Sequence, residues 1–511
     1  MVHRTPDAGA GAGAGALDAI PFASSVALAV AVVWVAYRVW IVVYNLYFSP
    51  LSRFPGPKIA ACTNLLSLYW TSTGQNHYRI KELHDRYGDV VRIGPTALVY
   101  RSAKAWTDIY GQRKSGDRPF LKDPKFYMSG PNGPNLLNAD EADHARGRRL
   151  LSHAFSERAL RDQEGLIGSY VDLLVDRLKG EIAASRETVD MTRWYNFTTF
   201  DIIGDLAFGE PFDCLRESQY HPWVEMVFVS TKVSALRRPL LVYPFLAPIV
   251  QRLLPQRLAR MREAHFALSA EKVHRRLETK TERPDFMTYV LRFNDDRSMS
   301  AREMESNAAL LIMAGSETTA TLLSGFTYYS LANPTVYRKL VDEVRGSFNS
   351  YEEINFLRTS QLAYLNAALE ETLRFYPPVP ATTPRIVPKG GAVIDGQFIP
   401  EGMSVSGHHY STYRAESHFT DADLFIPERW LDGRDKRFES DNRSVLHTFS
   451  LGPRNCLGQN LAYAEMRLIA AKLLWSFDMA MEESSAGWDI QKAFNFWEKN
   501  PLMVKLSPAQ H

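Results

Sequence analysis

The sequence predicts a mainly α-helical protein with small β-sheets, preceded by one transmembrane helix. From Ile59 onward, long helical patterns alternate with short strand-like segments. Before them lies an apolar run from Ile20 to Phe48, longer than the about 20 residues that a helix needs to span a bilayer. With 511 residues, of which 45% are hydrophobic and 23% charged, the chain has the composition of a globular protein with a large core.

Charge and cysteine content exclude several classes of protein. The net charge of +2 gives no reason to expect a nucleic-acid partner. The three cysteines, Cys62, Cys214 and Cys456, are too few and too scattered for a disulfide framework or a four-ligand zinc site. We therefore expect the part of the chain after the apolar run to face a reducing compartment.

The apolar run has the features of a membrane anchor. Arg38 is its only charge, and the segment from Trp40 to Phe48 carries the Trp and Tyr side chains typical of a membrane interface. A cleaved signal peptide is disfavoured because the run is too long and no charged region stands directly before it. A buried core helix is the remaining alternative. Arg53 and Lys58 follow the run, which places the bulk of the chain on the cytoplasmic side.

A ten-residue segment, Phe449 to Gly458, is the strongest candidate for chemistry. Gly452 and Pro453 predict an irregular turn before Cys456, and a helix is predicted to start near Leu457. The positive end of that helix favours a thiolate, which could bind haem iron while Arg454 meets a propionate. A buried free cysteine is the alternative.

A second unusual segment lies inside a predicted long helix. Ser300 and Glu303 form a capping box at its start, and Pro334 stops it. Within the apolar helix, Gly315 costs about 1 kcal/mol relative to Ala. The hydroxyl of Thr318 can compete for a backbone carbonyl. We expect a locally opened groove that admits dioxygen, with Thr318 and the neighbouring Glu317 handling protons. The alternative is a helix with exposed polar residues.

Shorter patterns predict further elements. Val90–Pro95 and Ala97–Tyr100 predict a β-hairpin. A basic helix places His144 and Arg148 one turn apart, and a later helix places Glu371 and Arg374 on one face. Taken alone, both pairs would be ordinary solvated surface groups.

Together these segments resemble the cytochrome P-450 family. The family's haem-binding signature is matched at Phe449, Gly452, Arg454, Cys456 and Gly458. The resemblance implies that Cys456 is the axial thiolate ligand of haem b and that Phe449, Arg454 and Gly458 belong to the cofactor site. It also implies the cytochrome P-450 fold.

Further roles follow from the same resemblance. Glu317 and Thr318 match the family's oxygen-activating acid–threonine pair. The remaining matches concern the propionates and a structural triad. His144, Arg148 and Arg385 correspond to residues that meet the propionates, and Glu371, Arg374 and Arg429 correspond to a buried triad that fixes the cysteine loop.

The resemblance also implies how the substrate reaches the site. It places the apolar segment 224–255 in the roof of the site. Val379, Ala381, Thr382 and residues 494–497 would face the substrate.

The implied activity is monooxygenation of an apolar small molecule with O2. Electrons would come from NADPH–cytochrome P-450 reductase, with cytochrome b5 as a further partner, and membrane lipid would surround the anchor. The implied location is the endoplasmic reticulum membrane, single-pass, with the catalytic domain cytoplasmic. The implied division is a tail (1–19), an anchor (20–48), a proline-rich hinge (49–58) and a haem-thiolate catalytic domain (59–511).

The segments His153–Ser156 and Phe208–Phe212 are similar to those of filamentous-fungal members that act on terpenoids, polyketides or alkaloids. Two alternatives remain for the activity: a haem-thiolate isomerase or rearranging enzyme, and a non-catalytic haem sensor or electron carrier. The acid–threonine pair argues against both, because neither needs a proton path to oxygen.

Overall fold

The structure, a computed structural model, is mainly helical with three small sheets. It describes residues 19–113, 118–127, 133–246, 256–279, 283–292 and 299–510, together with positions 1, 116, 248 and 252. Residues 2–18 of the predicted tail and part of the predicted roof segment lie outside these residues.

The described helices and strands run in the following order. The helices are α1 Ala19–Val43, α2 Lys58–Cys62, α3 Leu65–Ser72, α4 Asn76–Tyr87, α5 Ala103–Tyr110, α6 Glu141–Ser152, α7 Glu157–Ala183, α8 Met191–Phe208, α9 Cys214–Glu217, α10 Pro222–Leu236, α11 Arg238–Val242, α12 Gln256–Glu278, α13 Phe286–Arg292, α14 Ala301–Ala332, α15 Pro334–Ser347, α16 Phe356–Thr359, α17 Ala363–Phe375, α18 His409–Tyr413 and α19 Gln459–Ser476. The strands are β1 Val90–Gly94, β2 Ala97–Tyr100, β3 Leu121–Lys122, β4 Thr188–Asp190, β5 Arg385–Ile386, β6 Ala392–Ile394, β7 Gln397–Ile399, β8 Ser404–Gly407, β9 Phe477–Met481 and β10 Met503–Pro508.

The largest sheet joins the N-terminal hairpin to the C-terminal half of the chain. Its order is β1-β2-β8-β5-β3, with β2 and β8 parallel and the other neighbours antiparallel. The predicted hairpin is confirmed, with Val91 opposite Val99. At the other edge of the sheet, Lys122 lies opposite Arg385. Smaller sheets have the orders β4-β10-β9 and β6-β7.

The central helix α14 runs through the main hydrophobic core. Its capping box is confirmed, because Ser300 Oγ accepts from Glu303 N and the Glu303 carboxylate accepts from Ser300 N. The predicted local opening is wrong, because α14 is a continuous α-helix. The structure gives Gly315 another role. A Cβ there would lie 2.6 Å from Ile203 Cδ1 on α8, so the glycine lets the two helices pack closely.

Two helices are long and apolar enough to span a membrane. The segment Ser25–Phe48 has a mean hydropathy of 2.3 and none of it is buried, whereas two thirds of the apolar part of α14 is buried. We therefore assign α14 to the protein core and the N-terminal segment as a candidate membrane anchor.

Candidate active site

The cysteine loop is held in place by its own backbone. Cys456 N donates to Phe449 O over 2.7 Å, which closes the loop just before α19 begins at Gln459. Gly452 has a φ of +70°, and a Cβ there would overlap the carbonyl oxygen of Tyr110. Only glycine fits this position, because both the backbone conformation and the contact exclude a side chain.

The surroundings of Cys456 affect the pKa of its thiol. Its side chain is accessible, yet protein surrounds it closely enough that burial raises the pKa of its thiol. The backbone N–H of Gly458 and the guanidinium of Arg148 oppose this rise. Burial therefore opposes the predicted thiolate, whereas the Gly458 N–H and Arg148 favour it. A bound metal ion would supply the missing positive charge, since coordination deprotonates a thiol.

A group of cations lies beside the cysteine loop. Arg454 Nη2 donates to Glu141 Oε1 over 2.7 Å, but its Nη1 is buried and has no partner among the described residues. Nη1 of Arg385 is likewise buried and without a partner there. Two orphaned guanidinium nitrogens next to an accessible cysteine fit an anionic cofactor that has carboxylates and a metal ion.

Two further side chains belong to this cation group. Burial, together with Arg454, Arg148, Lys122 and Arg385, lowers the pKa of His144 to about 4. His144 therefore faces the group as a neutral imidazole. Burial and the guanidiniums of Arg385 and Arg454 also lower the pKa of Lys122 well below its usual value. Burial is the larger cause of both pKa shifts, and the neighbouring positive charges add to it.

Arg148 contacts the cysteine loop itself. Its Nη1 donates to Asn455 O over 2.7 Å and its Nη2 to Asn455 Oδ1 over 2.5 Å. Two of its nitrogens thus hold the residue next to Cys456. The resemblance implied that Arg148 contacts a propionate. The structure shows that Arg148 also holds the cysteine loop.

The predicted triad forms a fully buried network. Glu371 accepts two hydrogen bonds from Arg374, at 2.7 and 2.8 Å, and one from Arg429 Nε at 3.3 Å. All three side chains are completely inaccessible. Sequence reasoning missed two members, Trp430, which donates to Glu371, and Asp441, which pairs with Arg429.

The triad reaches the cysteine loop through Tyr413. Arg374 Nη1 donates to the carbonyl oxygen of Tyr413 over 2.7 Å. The hydroxyl of Tyr413 accepts from His447 N over 2.9 Å, two residues before Phe449. The triad therefore fixes the loop indirectly, through the backbone carbonyl and the side-chain hydroxyl of Tyr413.

The acid–threonine pair lies on two faces of α14. Thr318 Oγ1 donates to Ala314 O over 2.6 Å, as the predicted competition for a carbonyl requires. Glu317 is buried and forms a salt bridge with Lys499. Burial raises the pKa of Glu317, and Lys499 opposes that rise.

Comparison with known proteins decides the family. Residues 55–506 match the profile described as cytochrome P-450. The chain belongs to the cytochrome P-450 family. The family implies haem with cysteine thiolate ligation, which agrees with the accessible Cys456 and the orphaned guanidinium nitrogens beside it.

Curated cytochrome P-450 proteins of fungi are similar over nearly the whole chain. The monooxygenase astJ of Aspergillus oryzae is 52% identical, covering 93% of this chain and 95% of its own length. The monooxygenase efuB of Hormonema carpetanum is 45% identical, covering 93% and 94%. The trichothecene C-15 hydroxylase of Fusarium sporotrichioides is 42% identical, covering 93% and 96%. This chain is accordingly a haem-dependent monooxygenase of the type found in fungal secondary metabolism, and as such uses O2 and a redox partner.

Within this P-450 protein, some site residues escaped sequence reasoning. Lys122 lies on a two-residue strand, too short for a pattern to reveal. Lys499 stands alone in the C-terminal segment, and its partner Glu317 is 182 residues away. The prediction that residues 494–497 face the substrate does not hold for Trp497. Its ring is buried and stacks on Tyr376 with centroids 4.7 Å apart.

Proposed function

We propose that this chain hydroxylates or otherwise oxidises an apolar small molecule, using haem b held by Cys456. The observation that carries the proposal is the accessible Cys456 beside two buried guanidinium nitrogens without partners, on Arg385 and Arg454. A thiolate ligand and two cations suit the iron and the propionates of that cofactor.

The cation group determines how the cofactor is oriented. Arg385 and Arg454 would donate from their free nitrogens to the propionates, and neutral His144 would donate a ring N–H. Lys122 would add a fourth donor, and a propionate charge would reverse the lowering of its pKa. Phe449, Gly458 and Arg148 would support the ring and the loop on the cysteine side.

Haem bound through a thiolate supplies the activation of O2. The chain supplies protons to that reaction. The hydroxyl of Thr318 is a hydrogen-bond donor that now donates to Ala314 O, and it would be able to donate to another acceptor if it released that carbonyl. Glu317 holds or gives a proton at its carboxylate, next to Thr318 in the chain.

The substrate class follows from the type of pathway in which the relatives occur. We infer a terpenoid, polyketide or alkaloid scaffold, because such compounds are apolar and the segment that leads to the roof is apolar as well. One similar protein is named for hydroxylation of a trichothecene at C-15, which is consistent with oxidation at a single carbon.

The anchor and the redox partner complete the proposal. The exposed helix Ser25–Phe48 would hold the protein in the endoplasmic reticulum membrane as a single-pass anchor, followed by the proline-rich hinge at 49–58 and the catalytic domain at 59–511. Electrons would come from membrane-bound NADPH–cytochrome P-450 reductase, with cytochrome b5 as a further donor.

A carbon monoxide difference spectrum tests the central assignment. The reduced, folded protein is expected to give a band at about 450 nm, the signature of a thiolate ligand. Cys456→Ser should lose that band, whereas Cys62→Ser, at a half-buried free cysteine, should keep it. A band at about 420 nm in correctly folded protein would exclude thiolate ligation. Expression with the reductase, followed by metabolite profiling, then identifies the product.

A further inference from the structure

Arg238, the first residue of α11, is a cation without a carboxylate partner among the described residues. Its Nη2 donates to the side-chain oxygen of Asn495, and its guanidinium lies over the ring of Phe126, 4.0 Å from the ring centroid. Both of these partners are neutral. The other N–H groups of the guanidinium are therefore available to donate to an anion.

The surroundings of Arg238 make the lack of an anion unfavourable. Its side chain keeps some accessible surface, yet protein surrounds it closely enough that burial lowers the pKa of Arg238 to about 10. With that pKa the guanidinium is still charged at neutral pH. Because a charge taken out of water without an opposite charge is costly, an anion bound here would remove a cost that the ligand-free protein carries.

Three separate segments of the chain meet at this guanidinium. Phe126 follows strand β3, and Arg238 begins α11. Asn495 lies midway between Ala493 and Trp497, whose backbones form an isolated β-bridge. The guanidinium is thus held by two other parts of the chain, and a preorganised binding group requires such support.

Tyr127 connects this place to the cofactor site. Arg385, of the proposed propionate group, and Arg238 both act on the pKa of Tyr127, so the phenol lies near both cations. Burial raises the pKa of Tyr127, and its hydroxyl is therefore a neutral hydrogen-bond donor. Arg385 and Arg454 lower the pKa of Lys122, but Arg238 is not among the described groups that do so. Arg238 therefore lies apart from the propionate group, with Tyr127 near both.

We propose that Arg238 binds a carboxylate of the substrate, with Tyr127 as a second donor. The inference rests on the proposed function and narrows its substrate class to an apolar scaffold that carries one carboxylate. A single negative charge is expected, because one guanidinium and one neutral phenol supply a single positive charge. Asn495 fixes the guanidinium, and Phe126 covers one face of it, so the ligand would approach its edge. The carboxylate would thereby orient the scaffold and select the carbon that is oxidised.

Calorimetric titration of the full-length, haem-loaded protein tests the proposal. The probes are dodecanoate and adamantane-1-carboxylate, one flexible and one compact, each compared with its methyl ester. The wild type should bind at least one carboxylate about 10-fold to 100-fold more tightly than its ester, the effect of a hydrogen bond to a charged group. Arg238→Met should reduce that ratio to about 1 without weakening the ester, and Arg238→Lys should keep part of it.

Lys232→Met is the matched control, because it removes a cation of the neighbouring helix α10. The ammonium of Lys232 lies 4.7 Å from the ring centroid of Phe494, but it already pairs with the carboxylate of Glu498. This variant should keep the wild-type ratio. Equal binding of carboxylate and ester by the wild type, binding of neither carboxylate, or loss of the ratio in Lys232→Met as well would overturn the proposal.

Thermal unfolding separates a binding role from a structural one. Arg238→Met removes a desolvated charge, so the Tm of the ligand-free protein should stay unchanged or rise. A Tm lowered by several degrees would show that Arg238 holds the fold together instead, and would overturn the proposal. The variant should keep the carbon monoxide band at about 450 nm. A missing band in the wild type would refute the proposed function, whereas a normal band without carboxylate preference would refute only this inference.

Discussion

Replacing Glu371 by glutamine tests whether the buried triad is needed for haem incorporation. The carboxylate accepts five hydrogen bonds, two from Arg374 and one each from Arg429, Trp430 and the backbone N–H of Ile426. An amide has the same shape but presents donors on one side. In the orientation that loses fewest hydrogen bonds, the amide nitrogen of the glutamine takes the place of Glu371 Oε2. Arg374 Nε and Trp430 Nε1, which donate to that oxygen, then face another donor and lose their hydrogen bonds.

The expected cost follows from those two lost bonds. Hydrogen bonds to charged groups contribute about 1.5–3 kcal/mol each, which gives about 3–6 kcal/mol for the pair. The value agrees with the about 3–5 kcal/mol typical of a broken buried ion pair. That loss is comparable to the whole stability of many domains, so little protein should reach the haem-bound state.

The assay compares the yield of the reduced carbon monoxide band per mole of polypeptide, and the urea midpoint at which it disappears. Glu82→Gln is the control, because Arg79 and Glu82 also form a pair three residues apart, at 2.9 Å, but on the surface. Its effect should stay within about 1 kcal/mol. Equal yields and equal midpoints for the two variants would refute the argument that burial makes the triad essential.

Three other perturbations have defined outcomes. Thr318→Ala should release more hydrogen peroxide and lower product formation by about 100-fold or more, the size of a general-acid contribution. Thr107→Ala, which removes the same type of bond to a carbonyl four residues back but at an exposed position of α5, should change neither. Equal hydrogen peroxide release and equal product formation in the two variants would contradict the role of Thr318. Lys122→Met should speed haem transfer to an acceptor apoprotein by about 10-fold or more, since it removes a charged donor. Lys104→Met, at an exposed site, should leave the rate of haem transfer unchanged. Equal rates of haem transfer from the two variants would exclude Lys122 from the cofactor site. Burial lowers the pKa of His77 to about 3 and those of His84 and His409 to about 4. The unfolded chain therefore binds more protons below pH 6.5, and stability is full above that pH and falls as the pH drops toward 4. Between pH 7.5 and 5.5 each histidine should cost about 1.4 kcal/mol. The free energy of unfolding should therefore fall less between these two pH values in His77→Phe than in the wild type, by about 1.4 kcal/mol. An unchanged pH dependence would contradict the argument that burial lowers the pKa of His77.

The sequence predicted the features that depend on local chemistry. The hairpin at Val90–Tyr100 and the capping box at Ser300 are determined by neighbours a few residues apart, and both are confirmed. The family was predicted for a similar reason, because the cysteine segment is short and specific.

Features that depend on distant contacts were missed or misread. The rise in the pKa of the Cys456 thiol comes from burial, which no local pattern shows. Gly315 was expected to open its helix. It instead makes room for the side chain of Ile203, which lies more than a hundred residues earlier in the chain. Lys499 reaches Glu317 only after the C-terminal loop has packed. In each case the deciding partner belongs to another element of the fold.

The contact between Gly452 and the carbonyl of Tyr110 has a consequence for protein engineering. A chimaera that takes its cysteine loop from a relative also takes the loop surface that packs against the end of α5. The matching surface is the end of α5, which stays with the other parent if the crossover falls between the two segments. Productive recombination therefore requires that the end of α5 and the cysteine loop be inherited together, although some 340 residues separate them.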